Sequence, residues 1–142
     1  MRQLFVPAAL AAALFAALGS ATPALAHHSF AMFDPSRQVT VAGVIKDFQY
    51  TNPHSWLIVT VTGADSKVVD WSFETEGPST LLRAGIKHGS LPIGDKVAVK
   101  FLPMRDGRPA GSLINVTKAD GSVLTFRGNS PPPAGIALPA AN

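Results

Sequence analysis

The main body of this chain reads as an all-β domain: a small five-stranded OB-like Greek-key barrel with one short helix between strands three and four. Three observations predict it. Runs rich in valine, isoleucine and threonine recur between Gly, Pro and Asn-Pro breakers, the pattern of short strands rather than of helices. Residues 67–75 alternate strictly, with Val69, Trp71 and Phe73 on one face and Asp70, Ser72 and Glu74 on the other, as a sheet with one dry and one wet side requires. The helix-like stretch follows the third strand, which gives the strand, strand, strand, helix, strand, strand order of an OB-fold. An open sandwich of the same strands is the alternative. Closure is preferred because it spares the valine-rich strands an exposed edge.

Residues 1–26 stand apart from that domain. Met1-Arg2-Gln3 is a short positive start, residues 4–18 are almost unbroken apolar, and Gly19, Pro23 and Ala24-Leu25-Ala26 supply breakers and an A-x-A cleavage site. The apolar run is shorter than the ~20 residues that cross a bilayer. It therefore reads as a signal peptide cut near Ala26, with a periplasmic or secreted destination and no membrane span after processing. Cleavage there removes 26 of the 142 residues, leaving 116, and with Arg2 gone the net charge falls from +3 to +2. So weak a charge makes no electrostatic case for nucleic acid as a partner. The absence of cysteine excludes disulfides, a thiolate nucleophile and Cys-based zinc or iron–sulfur sites. Stability has to come from a packed core, and a chain of this length buries roughly two-thirds of its unfolded surface.

Residues 27–38 form an arm ahead of the barrel. A frayed terminus is the ordinary expectation there, opposed by Phe30 and Phe33, each of which gains about 1.5–3 kcal/mol on packing. The barrel domain is assigned to 39–127. Residues 39–48 (VTVAGVIKDF) are the first strand, with Gly43 marking a bulge or bend where the strand is shared between two halves of the barrel. Asn52-Pro53 makes a turn, residues 54–62 are the second strand, a loop from Gly63 follows, and residues 67–75 are the third. Pro78 and Gly85 start and stop a short helix whose buried edge is Leu81 with Leu82. Residues 96–101 alternate again as the fourth strand, a polar loop covers 105–111, residues 112–117 are the fifth, and 123–126 is a last apolar piece. From 128 to 142 the chain carries three consecutive prolines and no charged side chain, so a disordered tail is expected.

Chemistry centres on the histidines. Pro53 pushes Asn52 out of the helical region, so His54 falls where a turn feeds a strand, held yet reachable. Cleavage after Ala26 would make His27 the first residue, with an α-amine of pKa ~7.7–8.0 and an imidazole near ~6.5. Amine and imidazole chelate together, and His54 completes a three-nitrogen set. Alternatively the amine, the next backbone nitrogen and His28 chelate through adjacent rings. Nitrogen ligands in a planar arrangement point to Cu(II). Zinc fits less well, since a fourth ligand would have to come from Asp34, Glu74, Glu76 or water. Met32 and Met104 are soft donors for Cu(I), although methionine is usually core filler.

Plainer readings stand beside these. His27 and His28 can be a polar start, His54 a turn cap, His88 an exposed loop residue, and Glu74 with Glu76 a solvated strand end. Tyr50 and Trp56 could stack a ligand ring or sugar, or simply fill core. No nucleophile elbow and no catalytic carboxylate pair stand out, so catalysis finds little support.

The segments His27-His28-Ser29-Phe30, Thr51-Asn52-Pro53-His54-Ser55-Trp56, Leu81-Leu82-Arg83-Ala84-Gly85, Gly94-Asp95-Lys96-Val97 and Arg105-Asp106-Gly107 resemble a family of uncharacterised exported bacterial proteins. The resemblance implies an exported small β-barrel of unknown role, and departs at Ile86, where an aromatic is frequent. Two functions are carried forward: a copper-binding module using His27, His28 and His54, and a metal-free envelope module that binds a protein, peptide or glycan on a barrel face.

Overall fold

The computed structural model describes residues 30–127. The expected signal peptide, His27, His28 and the tail from 128 onward lie outside them. Among the described residues six strands follow in order: β1 (Val39–Gln49), β2 (Ser55–Thr62), β3 (Val68–Thr75), β4 (Lys96–Pro103), β5 (Ala110–Lys118) and β6 (Val123–Thr125). One α-helix, α1 (Pro78–Arg83), lies between β3 and β4, followed by a single 3-10 turn at His88–Ser90. Hydrogen bonding runs β3-β2-β1-β4-β5-β6 with antiparallel neighbours, and a parallel pairing of Ser72 with Ala110, Phe73 with Gly111 and Glu74 with Ser112 brings β3 back onto β5. That contact closes a five-stranded barrel and rules out the open sandwich. β6 adds three residues to the edge of β5.

Closure depends on β1 serving two partners. Its first half pairs with β4 and its second with β2, the two pairings meeting at Val44. Gly43 sits at this crossover, where a Cβ would collide with the Thr60 carbonyl and the Val59 side chain. The register with β2 slips between Ile45 and Asp47, and a bulge of this kind sharpens the local twist. The glycine thus marks a close approach of two strands, and the bulge comes two residues later.

Phe73 and Phe101, both fully buried, meet at 4.8 Å between ring centroids, and Trp71 packs edge-on to Phe101 at 5.3 Å. Alternation in β3 holds for Trp71 and Phe73 but loosens at Val69, which is exposed. α1 begins on Pro78 and ends before Gly85 at φ +79°, a left-handed value that glycine adopts without strain. Its buried edge differs from expectation. Leu81 enters the core with Ile86 and Leu91, whereas Leu82 is 58% exposed, because a helix of six residues presents only one side to the barrel.

A second apolar cluster of Phe33, Leu102, Met104 and Ile114 gathers apart from the main core. Here the arm is tied down. Phe33 bridges Met104, the Asp34 amide donates to Pro103 O (2.9 Å), and the Arg105 amide donates to Met32 O (3.0 Å). From residue 30 onward the arm is ordered against β4 rather than frayed.

Candidate functional site

His54 immediately precedes β2, with the Thr51 hydroxyl donating to its carbonyl (3.1 Å) and the Ser55 amide donating to Glu76 O (3.3 Å). The Asn52–Pro53 peptide is cis. The His54 ring is part-buried. Its Nδ1 lies 3.2 Å from Thr75 O and 3.5 Å from a Glu74 carboxylate oxygen. A carbonyl oxygen only accepts, so Nδ1 carries the hydrogen, and in the neutral ring the lone pair sits on Nε2. A carbonyl and a carboxylate at one ring nitrogen is the support that metal-binding histidines ordinarily receive on the side away from the metal.

Glu74 corrects the sequence reading. It was expected on a solvated strand end, yet only 9% of it is exposed. The cause is the closure itself: at Glu74, β3 is flanked on both sides, by Trp56 of β2 and Ser112 of β5. Its outward side chain therefore stands among neighbours instead of in water. Glu76, one step past the strand, behaves as expected and pairs loosely with Arg127 (3.4 Å).

Outside β2 and β3, between the arm and the loop from β4 to β5, lies a cleft of about 420 Å³ whose walls include Met32, Trp56, Ser72, Glu74, Met104 and Arg108. In OB-folds the face of strands two and three together with the loop from strand four to five is where ligands bind. Two of its charges are already matched. Asp70 bonds Lys46 and the Thr60 hydroxyl, which hold its carboxyl below the usual range, and Arg108 Nε donates to Asp106 at 2.7 Å. Among the described residues the ion-pair partner of Glu74 is the His54 ring, not a lysine or arginine.

Trp56 lines this cleft but Tyr50 does not. The Tyr50 hydroxyl lies within bonding distance of the carbonyls of Pro78 (3.0 Å) and Ile86 (2.9 Å), with its ring edge-on to Phe48 and His88. His88 is exposed, as its loop sequence suggested.

His27 and His28 lie outside the described residues, and within these no three His, Asp or Glu side chains gather in a metal-binding cluster. The path of the arm nevertheless bears on them. The Phe30 ring sits 4.6 Å under the Arg127 guanidinium, Arg127 reaches Glu76, and the Glu76 carbonyl is bonded to Ser55, next to His54. The first described residue of the arm is thus connected to the end of the barrel that carries His54. Among the described residues no helix is long and apolar enough to cross a membrane.

No curated protein and no solved structure matches the chain. The profile of DUF6152, a family of unknown function, matches residues 16–114, a span that takes in the His27-His28 pair, the His54 turn and strands β1 to β4. With well over half its length matched, the chain belongs to this family of unknown function.

Proposed function

We propose that the domain is an exported Cu(II)-binding module, in which the amine and imidazole of His27, with His28, meet Nε2 of His54. The observation that carries this reading is the His54 ring, whose Nδ1 meets Thr75 O and Glu74, so that the neutral ring carries its lone pair on Nε2. The Phe30 to Arg127 contact supports it, since it starts the arm at the same end of the barrel. Three extended residues from Phe30 to His27 reach about 10 Å. Amine and imidazole nitrogens favour Cu(II), which also heads the divalent affinity order. The test compares protein processed after Ala26, a form carrying one extra N-terminal alanine, and His54→Ala, each titrated with Cu(II) against a competing chelator. The processed form is expected to bind one copper, with the other two weaker by about tenfold or more, as loss of a ligand implies. Equal affinity of all three removes the reading.

The cleft beside Trp56 favours a second reading, a metal-free module that takes a peptide or glycan on the β2–β3 face. A peptide and glycan panel screened without metal would then yield a binder that is lost in Trp56→Ala and retained in His54→Ala.

A further inference from the structure

We infer that the cleft is a second metal site, for a soft monovalent cation such as Cu(I) or Ag(I), built from the thioethers of Met32 and Met104 and the Trp56 indole, with Glu74 as the countercharge. Its donor side chains differ from those of the Cu(II) reading, the two sharing only Glu74, which sits beside His54 there and serves as countercharge here.

The chain has three methionines, and one of them is Met1. The other two, Met32 in the arm and Met104 at the end of β4, are far apart in sequence and line the same cleft. The Phe33 to Met104 bridge and the bond from the Arg105 amide to Met32 O bring them together. Thioether sulfur is a soft donor that selects Cu(I) over the harder divalent ions. Trp56 adds the side chain whose π face attracts cations best. The charge balance agrees. Arg108 is matched by Asp106 and Asp70 by Lys46, while the ion-pair partner of Glu74, nine-tenths buried, is among the described residues the His54 ring, whose Nδ1–H is already directed at Thr75 O. The cleft therefore holds one carboxylate charge that a single positive ion neutralises. Packing is the competing explanation for the methionines, because Met104 belongs to the apolar cluster with Phe33, Leu102 and Ile114 and Met32 packs against that cluster. Packing asks only for volume, and leucine supplies that as well; sulfur is what leucine lacks.

The test uses the processed chain with ¹³C-labelled methionine methyls and Ag(I), which is stable in air, as the probe. One equivalent of Ag(I) is expected to move the methyl signals of Met32 and Met104 together with the Trp56 indole signal. Met32→Leu and Met104→Leu, both volume-conserving, should each lower Ag(I) affinity by about tenfold or more, the scale of a lost ligand, with the melting temperature little changed. His54→Ala should keep Ag(I) binding, so failure of the Cu(II) site is told apart from failure of this one. The inference is overturned if the methyls do not move, if the leucine variants bind Ag(I) as tightly, or if Zn(II) or phenethylammonium moves the same signals at equal concentration.

Discussion

Glu74 owes its environment to its neighbours in space. With Trp56 opposite on one side and Ser112 on the other, its carboxylate faces the His54 ring at 3.5 Å instead of water. If it acts by orienting His54, Glu74→Gln should lower Cu(II) affinity by roughly tenfold, the low end of what outer partners of a ligating histidine contribute. Unfolding in urea should show little loss of stability, since the amide keeps the shape. Cu(II) affinity unchanged in this variant would remove Glu74 from the site. The placement of His54 was legible in the sequence, because Asn52-Pro53 has to make a turn and a turn residue is held at its backbone. The burial of Glu74 was not. Alternation along β3 separates two faces but says nothing of where a strand acquires neighbours on both edges. Leu82 went astray for a related reason: the pair Leu81-Leu82 reads as one apolar edge, whereas on a six-residue helix the second leucine turns outward and Ile86, beyond Gly85, takes its place.

At the scale of elements, β1 is the strand that has to bend, and Gly43 is where it passes closest to β2. Gly43→Ala places a methyl against the Thr60 carbonyl, which is backbone and cannot swing aside. Overpacking of this kind costs about 1–3 kcal/mol. Gly89→Ala is the control, because a Cβ there meets nothing within 4 Å and the backbone is not left-handed. Urea midpoints should fall for the first variant and stay close to the parent for the second. Turns between elements carry a different signature. Asp34 is held below its ordinary value of 3.8 by the Ser36 hydroxyl and amide, Asp65 by the Lys67 side chain and amide, and Asp120 by the Ser122 hydroxyl and amide. Asp106 is held down by the Arg108 amide. In each case the unfolded chain binds the proton more readily than the folded one. The stabilisation is therefore present above the ordinary carboxylate value and is lost as pH falls below it. Urea midpoints measured from pH 6 downward should hold and then drop as the medium passes below 3.8. A midpoint that rises over that interval would contradict the assignment.

Across the whole molecule the barrel and the arm do separate things. Strand order and the single helix were legible because each element carries its own period and its own breakers. The pairing of β3 with β5 was expected only through the barrel topology, since no local feature of Ser72, Phe73, Ala110 or Gly111 announces a parallel contact. The arm was legible as two phenylalanines without a destination, and the structure gives them unequal ones. Phe33 is buried with Met104 and Leu102, while Phe30 is 42% exposed and touches Arg127. Truncating a buried phenylalanine costs about 3 kcal/mol or more, so Phe33→Ala should lower stability of the whole domain. Phe30→Ala should not, because an exposed cation–π contact contributes only about 0.5–1 kcal/mol. On the proposed Cu(II) reading its effect falls instead on metal binding. If His27 and His28 bind the ion as proposed, releasing Phe30 raises the entropy that ordering them must overcome. The expected outcome for Phe30→Ala is a melting temperature close to the parent's, together with weaker Cu(II) binding in a chelator competition and faster release of copper. Phe33→Ala, assayed where it is still folded, should weaken copper binding too, because it detaches the same arm further along. If Phe30→Ala binds Cu(II) as tightly as the parent, the arm does not position the histidines, and the proposed copper site loses the support it draws from the Phe30 contact.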